Sequence, residues 1–122
     1  MIRNLLMVGA GSCIGGMARY LLSLVMRSVG NGFPWGTFAV NILGCLIIGL
    51  LWGWTSRCPN VSSQLNLFLS VGICGGFTTF STFSKESMAL LQGGCYMSFT
   101  LYVLGSVVLG ILAVALGYAM AK

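Results

Sequence analysis

Charge placement constrains this chain more than any other feature. Its 122 residues include six basic side chains and one acidic one, while 57% are hydrophobic. The uncharged stretches run 4–18, 35–56, 58–84 and 87–121. Crossing about 30 Å of hydrocarbon takes roughly 20 helical residues. Each segment reaches that length once the first is carried through Arg19 to position 27. A water-soluble domain of this size could not cover so much apolar surface with so few charges. The expected fold class is an all-α membrane protein with four transmembrane helices. It is read as one four-span membrane domain over 1–122, with spans of about 4–27, 35–55, 62–92 and 96–121.

The apolar run after Arg3 begins as a secretory signal would. Glycine-rich residues 9–16 and Arg19 nevertheless fit a packed span better than a short signal core with a small-residue cleavage site. Gly30-Asn31-Gly32 marks a turn, and Phe33-Pro34 opens the second span with proline near its first turn. Trp35 stands at one end of that span and Trp52 and Trp54 at the other, as in an interfacial aromatic belt. Ser56-Arg57-Cys58-Pro59-Asn60 reads as a loop, Ser62 as a cap for the third span, and Gly93-Gly94 as the turn into the fourth.

Enzyme chemistry has little to work with, so the chain is not expected to be an enzyme. Cys13, Cys45, Cys58, Cys74 and Cys95 form no CxxC or metal-ligand spacing. Without His or Asp, a zinc site and a Ser-His-Asp triad are excluded. Orientation is weakly specified: Arg3, Arg57 and Lys122 fall on one side, Arg27 and Lys85 on the other. Such a chain can insert both ways up, and two oppositely inserted copies would make an antiparallel dimer with its two-fold axis in the membrane plane. Packing has clearer signals. Gly11 and Gly15, Gly49 and Gly53, Gly72 and Gly76, and Ser106 and Gly110 each place two small residues on one helix face, where a neighbouring backbone can come close.

The most informative segment is Gly75-Gly76-Phe77-Thr78-Thr79-Phe80-Ser81-Thr82-Phe83-Ser84, inside the third span. Adjacent glycines followed by β-branched threonines make poor helix, and they fall where the span should cross the middle of the membrane. A break is expected in this helix. Backbone freed by a break survives in hydrocarbon only when buried in protein, facing water or coordinating an ion, and carbonyls favour a cation. After the break, Phe80 and Phe83 share a face, with Ser84 and Ser87 on its flank and Thr82 and Glu86 beside it.

Other spans carry matching polar stripes. Thr37 and Asn41 are four apart in the second, and Ser98, Tyr102, Ser106 and Gly110 repeat by four in the fourth. A path lined by neutral donors and ring edges, without fixed positive charge, could replace the water around a small anion without trapping it. Two other readings stay open. A small proton-coupled exporter needs a titratable acid in the membrane, typically in the first span. The only carboxylate here is Glu86, after Lys85 and toward the end of the third. In a non-transporting scaffold subunit the polar stripes would only join helices.

Three stretches together resemble the Fluc/CrcB fluoride channels. They are Gly9-Ala10-Gly11 through Gly15-Gly16-Met17-Ala18-Arg19-Tyr20, then Gly36-Thr37-Phe38-Ala39-Val40-Asn41-Ile42-Leu43-Gly44, and Gly75 to Phe83 followed by Glu86. The likeness covers essentially the whole chain, and the third stretch is its most specific part. The resemblance implies an antiparallel, dual-topology homodimer, multi-pass in the bacterial inner membrane. It implies two fluoride-selective pores that passively export fluoride which entered as the neutral acid, and so confer fluoride resistance. By this likeness Phe80 and Phe83 present ring edges to fluoride, and Asn41, with Thr37 on the same helix face, contributes a donor. Ser81 and Thr82 line the path near the rings, Tyr102 and Ser106 continue it, and Glu86 lies near a vestibule. The carbonyls of Gly75 and Thr78, from both subunits, would hold a central sodium ion. Gly110 departs from the pattern, since some relatives carry a hydroxyl there. Arg19 matches the first motif, but a charge late in a span is expected to snorkel to the interface or cap carbonyls.

Overall fold

A computed structural model describes residues 1–26, 34–58, 60, 62–78 and 80–122, apart from the side chain of Ser63. The expected span end at Arg27, the Gly30-Asn31-Gly32 turn with Phe33, loop residue Pro59 and motif residue Thr79 lie outside the described residues. Helix α1 covers Ile2–Met26, α2 Trp35–Arg57 and α3 Ser63–Asn66. A π-helical segment, Leu67–Cys74, follows, and then α4 at Gly75–Phe77, α5 at Phe80–Gln92 and α6 at Tyr96–Ala121. Among the described residues, four helical stretches are long and apolar enough to cross a membrane: Ile2–Met26, Trp35–Arg57, Gln64–Gln92 and Tyr96–Ala121.

Hydrophobic periodicity does not choose the packing faces, because α2 and α6 are apolar nearly all round. Small residues choose them instead. The main contacts pair α2 with α6, and α1 with the π-helical segment and α4. A methyl added at Gly11 would meet the Phe68 carbonyl oxygen at 2.6 Å and Gly72 Cα at 2.8 Å, and one at Gly15 would collide with the Ile73 carbonyl. A methyl added at Gly76 would likewise stand 2.6 Å from the Ser12 carbonyl oxygen. On the other side, Gly49 abuts Val114, and a methyl added at Gly53 would stand 2.7 Å from the Tyr118 oxygen and one at Gly117 2.5 Å from that of Leu46. These contacts use three of the four small-residue pairs noted in the sequence, bringing backbones together where any larger side chain would hold them apart, while Gly110 of the fourth pair meets the Cys45 side chain.

Local signals at the ends behave as the sequence predicts. Ser62 Oγ accepts the Leu65 backbone N–H at 3.0 Å and so caps α3. Gly94 takes φ +76°, while its N–H bonds the Leu91 oxygen at 3.2 Å and the Cys95 N–H bonds that of Leu90 at 2.9 Å. This paired closure uses the carbonyls left over at the end of α5 and turns the chain into α6.

The third stretch is more irregular than its hydropathy indicates. Its π-helical turns are wider than α turns, and Ser70 Oγ donates to the Asn66 oxygen at 2.7 Å within them. Gly75 and Gly76 are helical, whereas Thr78 takes extended dihedrals of φ −87° and ψ 157°. Of the glycines and threonines expected to make poor helix, Gly76 stays helical with α1 packed on it, and the extended conformation falls on a β-branched threonine, to which it is suited. The Thr78 amide and hydroxyl both donate to the Cys74 oxygen at 3.0 Å, and its methyl fills the space left by Gly44.

Candidate functional site

The helices converge on a cavity of about 420 Å³. Helix α2 supplies Asn41, Cys45 and Ile48, one and two turns apart on a single face. The third stretch supplies Ser70, Cys74, Gly75 and Thr78, α5 supplies Phe80 and Phe83, and α6 adds Ser106 and Val107. Among the described residues, no charged side chain lines it. Gly44 completes the wall between Asn41 and Cys45 and lets Thr78 approach α2.

A train of aromatic rings leads inward from this wall. Phe80 and Phe83 have centroids 5.8 Å apart, Phe83 and Tyr102 5.0 Å, and Tyr102 and Phe38 6.3 Å. All three pairs are tilted, with interplanar angles of 40°, 45° and 59°. Tyr102 is 0% exposed, and its hydroxyl donates to Glu86 Oε1 at 3.5 Å. Thr37 also hydrogen-bonds this phenol, which therefore ties α2, α5 and α6 together. Ser87 Oγ donates to the Phe83 carbonyl at 2.8 Å, one turn earlier on α5. Ser106 Oγ is buried and has no hydrogen-bond partner among the described residues. A buried hydroxyl in that state retains its capacity to bind.

The structure thus brings Asn41, Gly75, Thr78, Phe80, Phe83 and Ser106 to one cavity. Tyr102, Glu86 and Thr37 stand behind Phe83 as a linked group. Ser81, which is exposed, and Thr82, which is half-buried, lie on α5 outside the cavity lining. Phe80 is 78% exposed in the single chain, so its ring is presented outward at the open side of the cavity. Gly110 lies outside this cavity and packs beside Cys45 Sγ, 3.4 Å from where its Cβ would stand.

Arg19 reaches from α1 to the third stretch. Its Nε donates to the Gly76 carbonyl oxygen at 3.1 Å. Of the two outcomes expected for this charge, the geometry selects the carbonyl cap. The bond satisfies an oxygen two residues before the chain turns extended at Thr78.

The described residues contain no cluster of three His, Cys, Asp or Glu side chains, so a cation held here would be met by neutral oxygens, of the main chain or of amide and hydroxyl groups. Gly75 is exposed at the cavity wall, and the dihedrals of Thr78 turn its carbonyl out of the helical direction. Neutral, hard oxygens of this kind suit a hard cation such as sodium.

Cys45, Cys74 and Ser70 were not picked out from the sequence as lining residues. Cys45 was readable, because it follows Asn41 by four on the same helix. Ser70 and Cys74 were harder, because the π-helical turns around them change the register from which an α-helical face is counted.

Comparison with known proteins shows the family. The family model described as CrcB-like protein, Camphor Resistance (CrcB), matches residues 6–118. A protein of Phocaeicola vulgatus named fluoride-specific ion channel FluC is 51% identical over 122 residues, covering 99% of this chain and 100% of the relative. Proteins of the same name from Chlorobium phaeobacteroides and Bacteroides fragilis are 48% and 45% identical. They cover 97% and 95% of this chain, and 92% and 94% of their own lengths. With four apolar helices among the described residues and a family match along nearly its whole length, the chain belongs to the CrcB family.

Proposed function

We propose that this protein is a fluoride channel, passing fluoride down its gradient along the edges of Phe80 and Phe83, with Asn41 and Ser106 as donors. The observation that carries this reading is the meeting of two phenyl rings, an amide and a hydroxyl in a cavity with no charged lining among the described residues. A small anion leaving water needs its hydration replaced. Ring edges are electropositive, and amide N–H and hydroxyl groups donate. A lysine or arginine in the cavity would bind the anion too tightly for rapid passage, and a carboxylate would repel it. Glu86, the only acid of the chain, stands behind Phe83 on Tyr102 and does not line the cavity, which argues against a proton-coupled exporter.

The finer elements of the proposal build on that core. Ser81 and Thr82 extend the path beyond the rings, Tyr102 with Thr37 forms its inner wall, and Glu86 lies near a vestibule. The extended backbone at Thr78 acts as a functional break in the third span. Two copies pack antiparallel with dual topology to give two pores, and the Gly75 and Thr78 carbonyls of both copies bind a central sodium ion. The outward ring of Phe80 and the open cavity support a need for a second copy. Fluoride that has crossed a bacterial inner membrane as the neutral acid and dissociated in a more alkaline cytoplasm would leave by this route, giving fluoride resistance.

Fluoride-electrode recordings from proteoliposomes test the proposal. Fast fluoride release without a proton gradient is expected. Release that requires such a gradient would favour an exporter, and no release of any solute would favour a scaffold.

A further inference from the structure

We propose that Cys45 is a wall residue of the ion path, standing at a neck between two cavities, so that a small thiol reagent attached there closes the path. This rests on the fluoride-channel reading above and goes beyond it by giving the path a covalently addressable constriction. A second cavity, of about 540 Å³, lies between α2 and α6, with Trp52, Gly110 and Val114 on its walls. Only Cys45, Ser106 and Val107, among the described residues, line both this cavity and the aromatic one. Two of the three are polar. Ser106 Oγ is the buried hydroxyl without a partner among the described residues, and the Cys45 thiol is a weak donor opposite the same space.

The placement of the sulfur also accounts for Gly110. The polar positions 98, 102 and 106 of α6 lead to a glycine that offers no side chain. Cys45 Sγ lies 3.4 Å from the point a Cβ at position 110 would occupy. The sulfur fills the room beside that glycine, so α2 supplies the polar atom that α6 lacks. A bulkier group on this sulfur would project into a space bounded by Ser106 and Val107.

The other cysteines are placed differently. Cys74 lines the first cavity but is only 5% exposed, Cys13 is exposed on α1 with its Sγ 3.7 Å from Met17 Sδ, and Cys95 is exposed just before α6. Cys58 immediately follows α2. Partial exposure and contact with both cavities therefore coincide at Cys45.

The chemistry uses methyl methanethiosulfonate. The Cys45 thiol gives its proton to buffer, and the thiolate attacks the methylthio sulfur. A new S–S bond forms, the S–S bond of the reagent breaks, and methanesulfinate leaves with the electron pair. Dithiothreitol reverses the modification by thiol–disulfide exchange.

The test uses full-length protein carrying Cys13→Ser, Cys58→Ser and Cys95→Ser in liposomes loaded with fluoride, compared with the same protein carrying Cys45→Ser or Cys45→Ala. Peptide mass spectrometry should find one methylthio group on Cys45. The initial fluoride efflux should fall at least about tenfold, as expected for an occluded narrow path, and dithiothreitol should restore it. Each Cys45 variant should keep its own untreated rate in the reagent. The proposal is overturned if Cys45 is labelled and efflux is unchanged, if the Cys45 variants are blocked equally, or if Cys45 reacts only after denaturation. An untreated protein that releases no fluoride overturns the channel reading itself, and this is seen before any reagent is added.

Discussion

Phe80 and Phe83 have the same side chain but different surroundings. Phe83 packs 5.0 Å from the buried Tyr102, whereas Phe80 is 78% exposed in the single chain. Replacing either with Ile keeps apolar bulk and removes the polarised ring edge. Fluoride efflux should fall at least about tenfold in both; each variant loses the Phe80–Phe83 ring pair, and Phe83→Ile loses the Phe83–Tyr102 pair as well, each worth about 0.5–1.5 kcal/mol. Efflux and thermal unfolding in detergent separate the two effects, and normal conduction by both variants would remove the ring-edge account. Asn41→Asp places a carboxylate on the cavity wall. At about 5 Å and an effective dielectric near 20, repulsion of a passing anion is about 3 kcal/mol, or roughly a hundredfold in rate. Conduction should recover as the carboxyl is protonated at low pH, and an Asn41→Asp protein that conducts normally at neutral pH would take this residue out of the path.

The elements are held together by contacts that admit no side chain. Gly15 and Gly9 both lie on α1, but only Gly15 meets another backbone, that of Ile73, while Gly9 has nothing within 4 Å. Gly15→Ala should destabilise the protein by about 1–3 kcal/mol through overpacking. Gly9→Ala should be neutral or stabilising by up to about 1 kcal/mol through helix propensity. Equal unfolding temperatures for the two variants would show that the α1 contact is looser than described. Arg19→Met removes the donor from the Gly76 oxygen but keeps an apolar stem. Leaving a part-buried carbonyl unpaired costs about 1–3 kcal/mol, and amide exchange at residues 76–80 should speed up with it. An unchanged exchange rate would mean that Arg19 does not hold this backbone.

At the scale of the whole molecule, one chain presents two kinds of surface. The outer faces of α1 and α6 are plain hydrocarbon, with Leu5, Leu21, Leu104 and Leu112 all exposed. The cavity side carries the exposed Phe80 together with amide, hydroxyl and carbonyl groups that hydrocarbon cannot satisfy. A second copy of the same chain would bury this polar side, and the weak charge bias allows it to insert upside down. Cross-linking in membranes should therefore give a species of twice the monomer mass. Tags on either terminus should be found on both sides of the membrane, and a uniform orientation would exclude the antiparallel pair.

Taken alone, the amino-acid order determined the number of long apolar helices, the cap at Ser62, the left-handed turn at Gly94 and the family. Each depends on short-range properties, namely summed hydropathy, a side chain reaching its own helix end, and a backbone angle suited to glycine. Only the tertiary structure decided that Asn41, Phe80, Phe83 and Ser106 share a cavity, that Arg19 serves the Gly76 carbonyl, and that Cys45 stands between two cavities. Apolar helices carry almost no periodic signal for which face turns inward, and the π-helical turns shift the count along the third stretch. Those juxtapositions arise when glycines let backbones touch, and residues far apart in the chain then meet across the contact.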